Sequence, residues 1–447
     1  MAVLNPELLC HSDEHSERNV DSNRWKLPLD DSDSTAIDRL ICLLGDHPRA
    51  LRTGIYIGWT GYSNLGDEAM LEVCQSRLAQ YRWVPFDLWN AQPRPTHFAR
   101  NVWRSPATLL RSLRDELRTR RRLRALVRAR EAGLNLGGAP PVALLGGGTL
   151  INSTREFLQQ YKIVRQRLGH APPVFSCGVK TPDFFAGKGD WRDLSREWVE
   201  ATSELPLVGV RGPLSKEYLD AAGARNVAIT GDPAIWLHEP LKDPLREPGS
   251  RRRKIGVNCG SAQFIWGDLS RLLSTQAEIV RKLVASGHEV ELFAVCPEDV
   301  SACLEVARQA HAGIAPNTEP LTTYKSFIAK LETFDLVVAL KLHAGVLAAC
   351  GNVPFIMLEY QPKCRDFCAS IGWEDYNVKT DRVNANSILQ LSEALLLDLP
   401  GSRRLLCQRM CELRDRFQSY CVELEKMLAL PDVFLDHSPT HTGYDLA

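Results

Sequence analysis

One histidine and several cations stand where chemistry is possible. Lys341-Leu342-His343 follows the apolar run Leu336-Val337-Val338-Ala339-Leu340, and Tyr360 and Lys363 follow a second run, Val353 to Leu358. Short apolar runs rich in β-branched residues predict buried strands. Ligands of open α/β sheets bind at the carboxyl ends of such strands. Two neighbouring strand ends therefore offer Lys341, His343, Tyr360 and Lys363 to one crevice. An imidazole titrates near neutrality and can deliver a proton, and ammonium groups beside it can hold an anion. A lone histidine is more often satisfied by a backbone carbonyl, but a cation two residues away favours the functional reading.

Other strand ends repeat the pattern. Arg211 follows Leu207-Val208-Gly209-Val210, and Asp232 sits in Gly231-Asp232-Pro233-Ala234 after Val227 to Thr230. Gly146, Gly147 and Gly148 end the apolar run Val142 to Leu145. Each glycine loses extra conformational entropy on ordering, so close approach of a ligand or a facing domain is the expected reason for three. A strand at Gly54–Gly58 runs through Trp59-Thr60-Gly61-Tyr62-Ser63-Asn64-Leu65-Gly66-Asp67-Glu68 into a helix ending near Leu78. In such a turn the first helical amides point at a ligand. Neither a Walker loop nor a dinucleotide GxGxxG is present. Asp67 and Glu68 also suit the positive end of the helix dipole, a purely structural role.

Strands and helices alternate throughout, which predicts parallel, doubly wound sheets. A chain of 447 residues exceeds one ordinary core. The expected divisions are an N-terminal extension over 1–50, partly disordered, and a Rossmann-like domain over 51–238. A linker rich in proline and charge (239–253) leads to a second Rossmann-like domain (254–400), then a terminal helix and disordered tail (401–447). Two such domains facing across a cleft make a GT-B-like α/β architecture.

The chain is 44% hydrophobic and 24% charged, and its 54 basic and 54 acidic residues cancel. That balance gives no reason to expect nucleic acid as a partner. Its 13 cysteines lack CxxC spacing, although Cys364 and Cys368, like Cys407 and Cys411, lie one helical turn apart. No metal is expected from that pattern. Unpaired cysteines without pattern suit a reducing cytoplasm. No signal peptide or membrane-spanning run is seen. Between Arg111 and Arg130 nine arginines crowd one helix candidate. A solvated helix face explains them, and docking on an anionic inner membrane leaflet or an acidic glycan is the sharper reading.

Gly-Tyr-Ser-Asn-Leu-Gly-Asp-Glu-Ala (61–69), the Gly146–Gly148 run, Val210-Arg211, Gly231-Asp232-Pro233-Ala234 and Lys341-Leu342-His343-Ala344-Gly345 follow one another in an order that resembles the polysaccharide pyruvyl transferases. The resemblance spans about Gly54 to Trp373. The family usually carries Arg-Leu-His where this chain has Lys341-Leu342-His343, and lysine offers a point charge in place of a bidentate fork. The resemblance implies transfer of the enolpyruvyl unit of phosphoenolpyruvate to sugar hydroxyls of a polysaccharide or its lipid-linked precursor. The products would be a pyruvate ketal and phosphate, with no cofactor required. In that reading Arg211 and Lys341 clamp the donor, with Asn64, Gly66, Gly147, Gly148, Ser215, Tyr360 and Lys363 in the binding set. His343 protonates the methylene carbon, and Asp67 or Asp232 takes the hydroxyl proton. A GT-B glycosyltransferase is the alternative, predicting a nucleoside pocket near Glu359 and no use for Arg211. A non-catalytic glycan- or lipid-binding relative is a third reading.

Overall fold

The computed structural model describes residues 52–59, 65–86, 142–181, 184, 192–241, 252–260, 262, 264–311, 313, 314, 316 and 323–429. Asn64, the Arg111–Arg130 stretch, the N-terminal extension, most of the proposed linker and the final tail lie outside the described residues. Among the described residues no helix is long and apolar enough to cross a membrane.

The N-terminal half opens with β1 (Arg52–Ile57), α1 (Leu65–Arg77), β2 (Tyr81–Phe86), β3 (Val142–Leu145) and β4 (Gly148–Ile151). It continues through α2 (Arg155–Leu168), β5 (Cys177–Val179), α3 (Arg192–Thr202), β6 (Val208–Val210), α4 (Pro213–Ala221) and β7 (Val227–Ile229). Every pairing is parallel, in two ribbons ordered β2-β1-β3 and β4-β5-β6-β7. A parallel bridge between Leu145 and Val174 joins the ribbons edge to edge. The glycine run explains the break between β3 and β4. Gly148 adopts φ +103°, a region that favours glycine, and a Cβ on Gly146 would meet the Tyr56 ring at 2.2 Å.

The C-terminal half runs β8 (Lys254–Asn258), α5 (Leu269–Ala285), β9 (Glu289–Phe293), α6 (Val300–Ala310), α7 (Tyr324–Leu331), β10 (Leu336–Ala339) and α8 (Leu342–Cys350). Then come β11 (Phe355–Glu359), α9 (Pro362–Ser370), β12 (Asn377–Lys379), α10 (Ala385–Leu397) and α11 (Leu399–Ala429). Its parallel sheet is ordered β12-β11-β10-β8-β9. All of β10 and β11 is buried, as continuous apolar runs require when helices cover both faces. The strand order reverses between β8 and β10, and that switch point opens a crevice at their carboxyl ends. In the other half the same reversal falls between β1 and β3. Each half is doubly wound, and the switch points face each other across a cleft in a GT-B-like arrangement.

Three devices hold the halves together. The 31-residue α11 starts on the C-terminal half, where Arg403 donates to the Phe334 carbonyl. Its buried stripe of Leu406, Met410, Leu413, Phe417, Tyr420 and Leu424 then carries it to the N-terminal half. There the Tyr420 hydroxyl accepts from Gly209 N and donates to the Val174 carbonyl, and Phe417 meets Phe175 edge-on. At a second joint, Asp366 of α9 accepts from the Leu214 and Ser215 amides at the start of α4. Gly212 permits that approach, because a Cβ there would lie 2.2 Å from the Asp366 carbonyl oxygen. At the third, the Tyr324 hydroxyl donates to Glu72 of α1.

Candidate active site

The two most distinctive motifs meet in space. Gly66 lies in the first turn of α1 and His343 in the first turn of α8. A Cβ on Gly66 would stand 1.9 Å from His343 Nδ1, so the imidazole fills the space a side chain would need. Gly66 therefore allows contact between the halves and has no side chain of its own to offer a ligand. Helix α8 begins earlier than the apolar pattern predicts. Lys341 is its N-cap and His343 is already helical. Asn258, at the end of β8, accepts from the Lys341 amide at 2.8 Å and so stitches the switch point closed beneath the site.

Around this contact lies a cleft of about 380 Å³, lined from one half by Trp59, Asp67, Gly148, Thr149, Lys180 and Arg211. The other half supplies Cys296, Asp299, Lys341, His343, Tyr360 and Lys363. Arg211 is 1% exposed; its Nε lies 2.9 Å from Asp232 Oδ2, and its Nη1 donates to Thr149 Oγ1. Asp232 Oδ1 accepts from the Ala234 amide, capping the 3₁₀ turn Pro233–Leu237. His343 Nε2 stands 3.7 Å from Asp232 Oδ2. Arg211 Nε and His343 Nε2 thus both face Asp232 Oδ2, close in distance but off the angles of aligned hydrogen bonds.

Charge state separates the two aspartates. Burial alone would raise the Asp232 carboxyl, but the Arg211 guanidinium and the His343 imidazole override it and hold it well below the usual carboxylate range. Asp67 is lifted to about 6, because its burial outweighs the nearby His343, Lys363 and Arg211. A carboxyl poised there can exchange a proton near neutrality. Burial pushes Lys363 down to about 8, with Arg211 and Lys341 adding repulsion. Lys363 lies over the Tyr360 ring at 4.9 Å and, among the described residues, has no carboxylate within ion-pair reach. Lys341 instead pairs with buried Asp299 at 3.1 Å. Burial likewise brings Lys180 down to about 8.

Of the residues expected at the site, Asp67, Gly148, Arg211, Lys341, His343, Tyr360 and Lys363 line the cleft, with Asp232 directly behind Arg211 and His343. Gly147 lies beneath it, its amide donating to the Tyr56 hydroxyl. Ser215 is elsewhere, at the joint between the halves. Its hydroxyl donates to Asp366 and accepts from the Val179 amide. Lys180, Thr149 and Asp299 were missed. Lys180 directly follows β5, so the strand-end rule that singled out Arg211 applies to it equally. Thr149 and Asp299 carry no such signal in sequence.

The fold and the cleft define a two-domain α/β protein that brings cations from both halves around His343 and Asp67. The profile of the polysaccharide pyruvyl transferase family matches residues 64–362, more than half of the chain. The chain belongs to that family, and the family is one of transferases acting on sugar acceptors. A search of curated protein sequences returns no match. Similar solved structures include S. aureus MnaA with UDP, at 12% identity over 80% of this chain and 90% of that one, with TM-score 0.46. Another is Anabaena Alr3699/HepE with UDP and glucose, at 9% identity over 85% of this chain and 98% of that one, with TM-score 0.48.

Proposed function

We propose that this chain transfers the pyruvyl unit of phosphoenolpyruvate to a sugar, forming a cyclic ketal and releasing phosphate. The observation that carries the reading is the meeting of four cations, Arg211, Lys341, Lys363 and Lys180, around one small cleft that also contains His343 and Asp67. A compact donor bearing both a carboxylate and a phosphate needs such a surround, and the amides at the starts of α1 and α8 add to it. His343 adds a proton to the methylene carbon, which makes C2 electrophilic. A sugar hydroxyl then attacks C2 and gives its proton to Asp67, the carboxyl with room in the cleft and a suitable pKa. A second hydroxyl then attacks C2, the C2–O bond to phosphate breaks, and the phosphate leaves with that hydroxyl's proton as the ketal closes. Asp232, ionised and out of the cleft, orients His343 and Arg211 and takes no proton from the sugar.

The nucleotide-sugar alternative looks to Glu359 for a nucleoside. That carboxylate is fully buried and accepts from the Trp266 indole and the Asn377 amide. Both of its oxygens are taken by protein donors and it is not part of the cleft lining, which favours the phosphoenolpyruvate reading. The acceptor is a sugar with two neighbouring free hydroxyls, free or lipid-linked. The test is incubation of the purified protein with phosphoenolpyruvate and candidate glycans, following phosphate release. Phosphate release that depends on glycan supports the reading; none across a broad glycan panel, with UDP-sugar turnover in its place, overturns it.

A further inference from the structure

A second cluster lies at the far ends of the elements that carry the site. His238 follows the 3₁₀ turn that starts at Asp232, and Cys407 and Cys411 sit one turn apart on α11. His238 Nε2 is 3.6 Å from Cys411 Sγ and 3.8 Å from Cys407 Sγ, and the three ligand atoms all lie within 4.8 Å of one another. Only the fold makes this cluster, because His238 is more than 160 residues from either cysteine.

The geometry points to a zinc site at His238, Cys407 and Cys411, with water in the fourth position. A tetrahedral ion with Zn–S of about 2.3 Å and Zn–N of about 2.0 Å requires S···N of about 3.6 Å and S···S of about 3.8 Å. The two S···N distances match without movement. His238 Nδ1 lies 3.3 Å from the Cys350 carbonyl, which can only accept. Nδ1 therefore carries the proton, and Nε2 turns its lone pair to the two sulfurs. A carbonyl fixing the tautomer from behind is the usual outer partner of a metal-binding histidine. His238 is fully buried while both cysteines are half-buried, so the fourth position faces solvent. Arg414 lies within electrostatic reach of His238 and Cys411, a cation that offsets thiolate charge. Binding replaces two thiol protons with one divalent ion, so two protons leave for each zinc bound.

Two other places in the fold hold clustered side chains but no such geometry. The small surface depression around Lys162, Arg165, Glu200 and Glu204 is closed over its own ion pairs. The Cys364/Cys368 pair is fully buried and, among the described residues, is not part of a group with metal-ligand geometry. At the His238 cluster the ion has a structural task. Helix α8 carries His343 at its start and the Cys350 carbonyl at its end, and the 3₁₀ turn runs from Asp232 to His238. A metal clamped to α11 therefore braces both elements that align Asp232 with His343, about one helix length from the chemistry.

The test uses the full-length protein, stripped of metal and kept reduced with a phosphine, in titrations of Zn²⁺ against a chromophoric chelator. We expect one equivalent bound, two protons released, and a melting temperature that rises with Zn²⁺. Co²⁺ in place of zinc should show a thiolate-to-cobalt charge-transfer band and strong tetrahedral visible bands. Cys407→Ser/Cys411→Ser, whose half-buried positions tolerate the change, should abolish those bands. It should weaken zinc by more than the roughly 10- to 100-fold that loss of an outer partner costs. His238→Gln should do the same if circular dichroism shows it folded. Zinc affinity unchanged in the double serine variant, or no stoichiometric binding in the parent, overturns the site. So does a Cys407–Cys411 disulfide that persists under the phosphine.

Discussion

Arg211 and Lys363 are cations on opposite walls of one cleft, and they do different jobs. Arg211 is buried against Asp232 and Thr149, so its charge is already answered within its own half. Lys363 rests on an aromatic ring, and burial pushes its ammonium down to about 8. An answered buried charge mainly organises its surroundings, and breaking it strands its partner. A desolvated ammonium without a carboxylate gains most when an anion arrives. Of the two, Arg211 is the organising cation and Lys363 the one open to an anion, so the expectation that Arg211 and Lys341 clamp the donor is extended by the proposal that Lys363 shares that task.

The largest effect that could break this picture is at His343, where the two walls touch. His343→Ala and His343→Gln should lower kcat by roughly 10²–10⁴-fold, the range for a positioned acid, with donor affinity nearly kept. If kcat survives and only donor KM rises, the histidine is a ligand and the proton comes from another group.

The comparison itself rests on the next pair. Arg211→Ala should destabilise the fold by about 3–5 kcal/mol, because Asp232 is left buried and unanswered. Lys363→Met should leave the melting temperature almost unchanged and raise the donor KM by roughly 10- to 100-fold, the loss of one charge-assisted bond. Denaturant titration and donor kinetics on both variants decide it. Equal loss of stability in the two would erase the distinction between the walls.

A smaller, sharper effect is expected at Gly66. An alanine there must push the His343 ring aside, and a misplacement near 1 Å costs roughly 100-fold in kcat. The same change made in His343→Ala should do nothing further, which a double-mutant cycle measures directly. Additive losses would mean that Gly66 acts on the ligand and not through the imidazole.

The mildest prediction is a pH profile. Asp67 acts as a base only when ionised, so kcat/KM should fall tenfold per unit below about 6. Lys363 and Lys180 bind the donor only when protonated, so it should fall again above about 8. Asp67→Asn should lower activity and remove the acid limb. A limb that stays in place in that variant assigns it to another group.

Much of this was legible from residue order alone. The apolar runs at Leu336–Leu340 and Val353–Leu358 could only be buried strands, and glycine or a cation at a strand's end marks a ligand edge whatever the neighbours are. The sequence determined the two parallel α/β halves, the Asp67 and His343 motifs, and the strand-end cations. It could not say which cation is answered, because the Arg211–Asp232 and Lys341–Asp299 pairs form between strands and turns distant along the chain. The family resemblance put Ser215 in the binding set, yet Asp366 reaches it from the other half. Cys407 and Cys411 show only their one-turn spacing, and His238 becomes their neighbour only when α11 folds back. Local pattern sets where a side chain sits on its own element, since periodicity and turn chemistry act over a few residues. Charge pairing, pKa and ligand clusters depend on distances of a few ångströms between elements, and packing alone decides those.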